Sequence, residues 1–184
     1  MVRSGDSFPG YVGGLRLGDR SVQVHVAPDG QRIGSESYDC SARLWLSARR
    51  GANATDVLVD ATRLDRMGKG GGTQVRASAP VTAVVQWKGV PNINMARRAW
   101  VEATQDTEFS LLVARGDDAA ESIRVDGVEL DAGDYEVTRE HGGTHATVHL
   151  SPGSHEITVG PVDEPAVMPV SITSGEAAAP VQQE

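Results

Sequence analysis

Aromatic side chains are scarce in this chain: eight among 184 residues, three of them tryptophan. That is a poor supply for an extended platform of rings along a sugar polymer, so any stacking contact would rest on a single tryptophan. Cysteine is scarcer still. The lone Cys40 excludes an intrachain disulfide and a cysteine-rich zinc site, and it is expected as a small half-buried residue just before a strand. Lysine is nearly absent, Lys69 and Lys88 standing against fifteen arginines, which reads as the codon usage of a GC-rich genome. Positive charge is in deficit overall: the formal net charge is −8, which argues against a nucleic-acid partner, because phosphates need a basic surface. No run approaches eighteen apolar residues, and "MVRSGDSFPGYVGG" lacks the apolar centre of an export signal. No membrane insertion is therefore expected, and an extracellular or virion setting would require a mature fragment or a carried complex. The strings G-x-S-x-G, H-E-x-x-H and the P-loop are also missing.

What is abundant is punctuation. Gly and Pro contribute 21 and 9 residues, and they separate short runs rich in β-branched residues: "SVQVHVA", "ARLWLSA", "DVLVDA", "TQVRAS", "VTAVVQW", "FSLLVA", "SIRVD", "YEVTRE", "THATVHL" and "HEITVG". Turn signals at intervals of about eight to twelve residues predict an all-β antiparallel sandwich rather than βαβ units. "NMARRAWVEA" is the one stretch of helical composition, and its second half is expected as strand by analogy with "FSLLVA". Asp126-Gly127 predicts a tight turn, whereas the matching Asp60-Ala61 lacks the glycine.

That match belongs to an internal repeat. Residues 46–65, "LSARRGANATDVLVDATRLD", align without a gap on 112–131, "LVARGDDAAESIRVDGVELD", with eight identities in twenty positions. The repeat predicts two tandem homologous antiparallel β-sandwich modules packed together. The first covers 1–92 with N-terminal strands and the second 93–162. The segment 163–184 is expected as a largely disordered tail, since "SGEAAAPVQQE" has little apolar bulk.

Three of the five histidines fall in "GGTHATVHLSPGSHEITVG". In an extended strand His145 and His149 stand roughly 13 Å apart at about 3.3 Å per residue, too far to share a metal. With Pro152-Gly153 as a two-residue turn, His149 would face Glu156 and His155 would face Leu150, and His141 lies before the strands. The expected reading is polar-face histidines on a hairpin, with no metal and no cofactor. Asp117, Asp118, Asp131 and Asp134 lack the spacing of a calcium loop. "Arg115-Gly116-Asp117" is an adhesion tripeptide too short to carry a function. Asn53-Ala54-Thr55 is a formal glycosylation sequon placed in a loop.

Among the tryptophans, Trp87 shares strand parity with Ala83 and Val85 and is expected in the core. Trp100, between Arg98 and Glu102 at alternate positions, is expected on an uncovered face. Trp45 lies between Arg43 and Ser47, which suggests exposure, although its repeat partner Leu111 belongs to an apolar face. Trp100, Arg98 and Trp45 are the candidate carbohydrate contacts, and no catalytic residue is expected.

The run "IRVDGVELDAGDYEVTREHGGTHATVHLSPGSHEITV" (123–159) resembles β-sandwich modules on the C-terminal side of polysaccharide-degrading enzymes, the heparinase II/III-type lyases and related glycosidases. The features that carry it are "VDG" after a strand, Tyr135, and a terminal hairpin through Leu150-Ser151-Pro152-Gly153-Ser154-His155. The resemblance implies a non-catalytic accessory or structural module of an extracellular carbohydrate-active enzyme. Its partners would be a polysaccharide or a larger enzyme or assembly subunit, with a homo-oligomer as a further form. Two other readings stand beside it: a virion or cell-surface protein making assembly contacts, and a small enzyme with a site between the modules.

Overall fold

Alternation of small or apolar residues with polar ones runs unbroken through two long stretches, and it builds the two longest strands. In the computed structural model, which describes residues 10–27, 32–34, 38–51, 53–66, 71–90, 93–115 and 121–160, these are β6 (Asn53–Arg66) and β7 (Gly72–Val90). Before them come β1 (Tyr11–Leu17), β2 (Arg20–Val26), β3 (Arg32–Gly34), β4 (Tyr38–Ser41) and β5 (Leu44–Arg50). After them come β8 (Ile93–Ala103), β9 (Thr107–Arg115), β10 (Ile123–Val125), β11 (Val128–Glu129), β12 (Tyr135–Glu140), β13 (Gly143–Leu150) and β14 (Gly153–Val159). The protein is all-β, every pairing among the described residues is antiparallel, and "NMARRAWVEA" is strand along its length. The tail expected at 163–184, together with Asp117 and Asp118, lies outside the described residues.

The fourteen strands form one sheet, and that sheet is creased. The first part of β6 pairs with β5 and its last residues with β4, while the end of β7 pairs with β8 and its beginning with β9. β14 lies beside β8 and β13 beside β9 in the same fashion. The result is a wide leaf ordered β1-β2-β5-β6-β7-β8-β14-β10-β11 and a smaller leaf ordered β3-β4-β6-β7-β9-β13-β12. Residues without a ladder role mark the crease. Asp60 sits at a positive φ of 49° where the β6 register shifts, and Pro80 is exposed in β7, where a missing N–H interrupts the ladder. Ser151-Pro152 carries the chain from the smaller leaf to the wide one.

The leaves close on a core that includes Trp45, Leu58, Val85, Val101, Phe109, Leu111, Ile157 and Val159, all nearly fully buried. Each such side chain stabilises the fold by roughly 1.5–3 kcal/mol through removal from water. This core is continuous. The expected boundary between 92 and 93 lies beside the β7–β8 ladder, which runs from Val81↔Ala103 to Val90↔Ile93. The repeated segments also differ in use: β5 and β6 pair with each other, whereas β9 and β10 pair with other strands.

Two local expectations are corrected by the crease. Residues 143–159 form no hairpin, because β13 pairs with β9 and β12 while β14 pairs with β8 and β10. His149 therefore faces Glu108, and His155 faces Val101. His145 is not on a polar face: the register shifts between Thr144 and His145, and the ring is buried with Nε2 2.9 Å from the Thr73 carbonyl oxygen. Asp126-Gly127 forms the tight turn expected of it, with φ of 53° and 80° and Val125 opposite Val128.

Candidate functional site

Three places collect chemistry: a buried carboxylate, a histidine at the crease, and the outer face of the wide leaf. The carboxylate is Asp56, 1 % exposed, in the core phase of β6 between Ala54 and Leu58. Its ladder neighbours explain its partners. Ser47 is directly opposite on β5, Trp45 lies one diagonal away on the same strand, and Trp87 lies diagonally on β7. Trp45 Nε1 donates to Oδ1 at 3.0 Å and Trp87 Nε1 donates to Oδ2 at 2.8 Å. Burial pushes the carboxyl up from the usual range, while the neighbouring Ser47 hydroxyl, the Trp45 hydrogen bond, the Arg49 charge and the Trp87 hydrogen bond pull it back. The His25 ring stacks on Trp45 at 4.8 Å, Tyr38 meets the indole at 5.7 Å, and the Arg49 guanidinium lies 4.8 Å from the Tyr38 ring centre. At this burial Asp56 orients two indoles.

Trp45 thus stands at 0 % exposure. The exposed ring expected from its polar neighbours is corrected, because Ser47 shares its inward phase and is itself buried. Trp87 is in the core, as its parity implies. Cys40 lies within β4 rather than before a strand, buried, with burial and then Asp56, Asp39 and Asp65 pushing its thiol far up. Sequence reasoning did not single out Asp56. The signal was present in "NATDVLVDATRLD": a carboxylate on the same alternate positions as Ala54 and Leu58.

The histidine is His155. Nδ1 is 2.8 Å from Asp126 Oδ2 and Nε2 is 2.9 Å from the Ser151 carbonyl oxygen. Asp126 Oδ1 also accepts the Glu156 N–H at 2.8 Å. Both ring nitrogens face acceptors, an arrangement suited to the doubly protonated imidazolium. The Asp126 hydrogen bond raises the His155 pKa; burial opposes it, and the Ser151 carbonyl and the Asp126 charge reinforce it. For Asp126, burial raises the carboxyl, but the Glu156 N–H and His155 outweigh it and the net shift is downward. This pair ties the β10–β11 turn to the crease. His149, exposed, stands 3.7 Å from Asp106, and His141 is an exposed turn residue at positive φ. Asp131 and Asp134 bond each other's backbone in a turn, and Asn53 is exposed at the start of β6. Among the described residues no three of His, Cys, Asp and Glu converge as a metal site requires.

The outer face of the wide leaf departs most from sandwich grammar. An antiparallel sheet packed on one side usually presents polar residues on the other. Here one row runs in register across five strands as Val24, Leu46, Val57, Val84 and Trp100. Beside it lie Val26, Leu44 and Val59 on one side and Val22, 37 % exposed, with Leu15, 65 % exposed, on the other. Polar groups close the row at the β8–β14 end. Trp100 is half-buried and directly opposite Glu156. The Arg98 guanidinium lies 5.5 Å from its ring centre, and Arg98 Nε is 3.0 Å from Glu156 Oε1. Trp100 and Arg98 therefore come together on one face, as their spacing implies, but Arg98 is largely covered and occupies one side of the indole.

No family model matches the chain, and no curated protein matches it.

Proposed function

We propose that this protein is a non-catalytic β-sandwich module that works by contact, seating the outer face of its wide leaf against a larger body. The observation that carries the reading is the apolar row Val24–Leu46–Val57–Val84–Trp100, flanked by further Val and Leu. A contiguous apolar patch on the outside of a sheet marks an interaction surface. The larger body is read as an extracellular enzyme acting on polysaccharide, from the strand-and-turn pattern over 123–159. In that setting Trp100 and Arg98 are the residues placed to touch sugar. A second reading, a virion or cell-surface assembly subunit, is favoured by the coverage of Trp100 by Arg98, which leaves less ring for a sugar to stack on. The origin from two homologous modules remains part of the proposal. Its support is that the aligned residues Asp60 and Asp126 both adopt positive φ, 49° and 53°.

Val84→Lys and Trp100→Ala test these readings together. An open outer face accepts Val84→Lys with the thermal midpoint nearly unchanged, while binding of an apolar fluorescent dye falls several-fold. A collapse of stability instead would mean that the chain already covers this face and would sink the docking reading. Retention of the wild type on an anionic polysaccharide, lost in Trp100→Ala, selects the carbohydrate setting. Absence of retention selects assembly.

A further inference from the structure

Four strands end the two leaves, and three of them are blunted. β3 has three residues and β11 two, too short to template another strand. β12 has six but carries Glu136, Arg139 and Glu140. Short and charged edges are the usual defences against unwanted pairing. β1 has neither defence. It is seven residues long with Arg16 its single charge, and among the described residues it pairs with β2 alone. Val12, Leu15 and Leu17 are 67 %, 65 % and 72 % exposed, half of the six exposed large hydrophobic residues among those described.

We infer that β1 is a homotypic pairing edge, and that two copies of this chain join antiparallel through it to continue the wide leaf from one molecule into the next. Its backbone is prepared for this. Gly18, at φ 61°, closes a two-residue turn between Leu17 and Arg20. In such a hairpin, residues alternate between bonding the partner strand and pointing away. Leu17, Leu15 and Gly13 bond β2, and the N–H and C=O groups of Gly14 and Arg16 point to the open side. The register shift between Tyr11 and Gly13 confines the straight part of the edge to Gly13–Leu17.

Side chains select the register. A two-fold axis through Leu15 sets Leu15 against Leu15 of the second copy, Arg16 against Gly14, and Leu17 against Gly13. The position of a Gly13 Cβ is open space, so a leucine has room beside it. An axis through Arg16 would oppose two guanidinium groups directly and is disfavoured. A five-residue edge about 17 Å long and about 10 Å thick buries on the order of 350 Å² in total. That is far below the roughly 1,600 Å² of permanent complexes, so the dimer is weak and reversible. Two copies of net charge −8 also repel at long range, and salt screens that repulsion.

The inference uses the β1 backbone edge and Leu15 at the rim of the outer face, not the Val24–Leu46–Val57–Val84–Trp100 row that carries the docking reading, so its failure leaves that reading standing. The test is sedimentation of the full chain across concentration and salt, with amide hydrogen exchange read by NMR. Expected is a dimer fraction that grows with both, accompanied by slowing of the Gly14 and Arg16 amides in proportion. Leu15→Lys should weaken association at least tenfold without lowering the thermal midpoint, because Leu15 is exposed in the single chain. A chain that stays monomeric at millimolar concentration overturns the inference. So does a dimer in which the Gly14 and Arg16 amides exchange at the monomer rate, or one that Leu15→Lys leaves intact.

Discussion

The two ends of the core solve burial in opposite ways. Around β5, β6 and β7 the interior is polar and directional, with one carboxylate holding two indole N–H groups beside a stacked histidine. Between β9, β13 and β14 it has an apolar, dry cluster, with Phe109, Leu111, Ile123, Val148, Ile157 and Val159 facing one another across a gap with no room for water. The first arrangement specifies where each ring must lie, because an indole N–H without an acceptor loses a hydrogen bond it would have made in water. The second specifies only volume. One end therefore fixes the register of three strands, and the other tolerates rearrangement as long as it stays full.

The largest effect should come from breaking the polar end. Asp56→Leu fills the space but strands two indole donors at about 1–3 kcal/mol each, a loss of roughly 2–6 kcal/mol in denaturant unfolding. The matching change at the dry end, Leu111→Met, should cost less than about 1.5 kcal/mol, as volume-conserving hydrophobic swaps do. Equal losses would erase the contrast. A smaller effect concerns pH. The folded-state pKa of Asp56 is raised, first by burial, so the folded chain holds the proton more tightly than the unfolded one. Stability attributable to this group should therefore fall as pH rises from about 4, the ordinary carboxylate value, up to the raised folded value, and then level. The difference in unfolding free energy between wild type and Asp56→Asn, followed from pH 4 to 8, should show that slope with that sign; an opposite slope would mean the indoles and Arg49 outweigh burial.

The smallest effect belongs to His155, whose folded pKa is raised, first by Asp126. Its contribution is fully present below the unfolded histidine value of about 6.5 and fades as pH rises through the folded value. His155→Gln should lower the thermal midpoint slightly at pH 5.5 and by less at pH 8.5. A pH-independent difference would show that the ring acts there through packing alone.

These contrasts mark how much of the molecule could be read from residue order. Strand identity is readable wherever alternation holds, as in β6 and β7, less so in the first half of β8 with its helical composition, and so is the Asp126-Gly127 turn, because glycine there accepts a positive φ that Ala61 would resist. The crease is not. Pro152 looked like the turn of a hairpin and is the corner between two leaves, since a local signal states that the chain bends and not which strand it then joins. One register shift at Thr144–His145 moved a histidine from the expected surface to the interior. Trp100 and Arg98 were found together because parity on one strand is local information. Asp56 went unnoticed because its meaning depends on tryptophans eleven and thirty-one residues away.

The crease also has a mechanical side. Strands β6 and β7 belong to both leaves, and β4 to β5, β8 to β9 and β13 to β14 are joined by only two or three residues. The leaves are thus bound along a spine of peptide bonds, as pages are, and not merely pressed together by their cores. Force that pulls them apart at the opposite end, near Gly51 and Gly142, meets side-chain contacts one row at a time. Force that slides one leaf across the other is resisted at once by every strand that crosses the spine. That connectivity predicts less resistance to peeling than to shear.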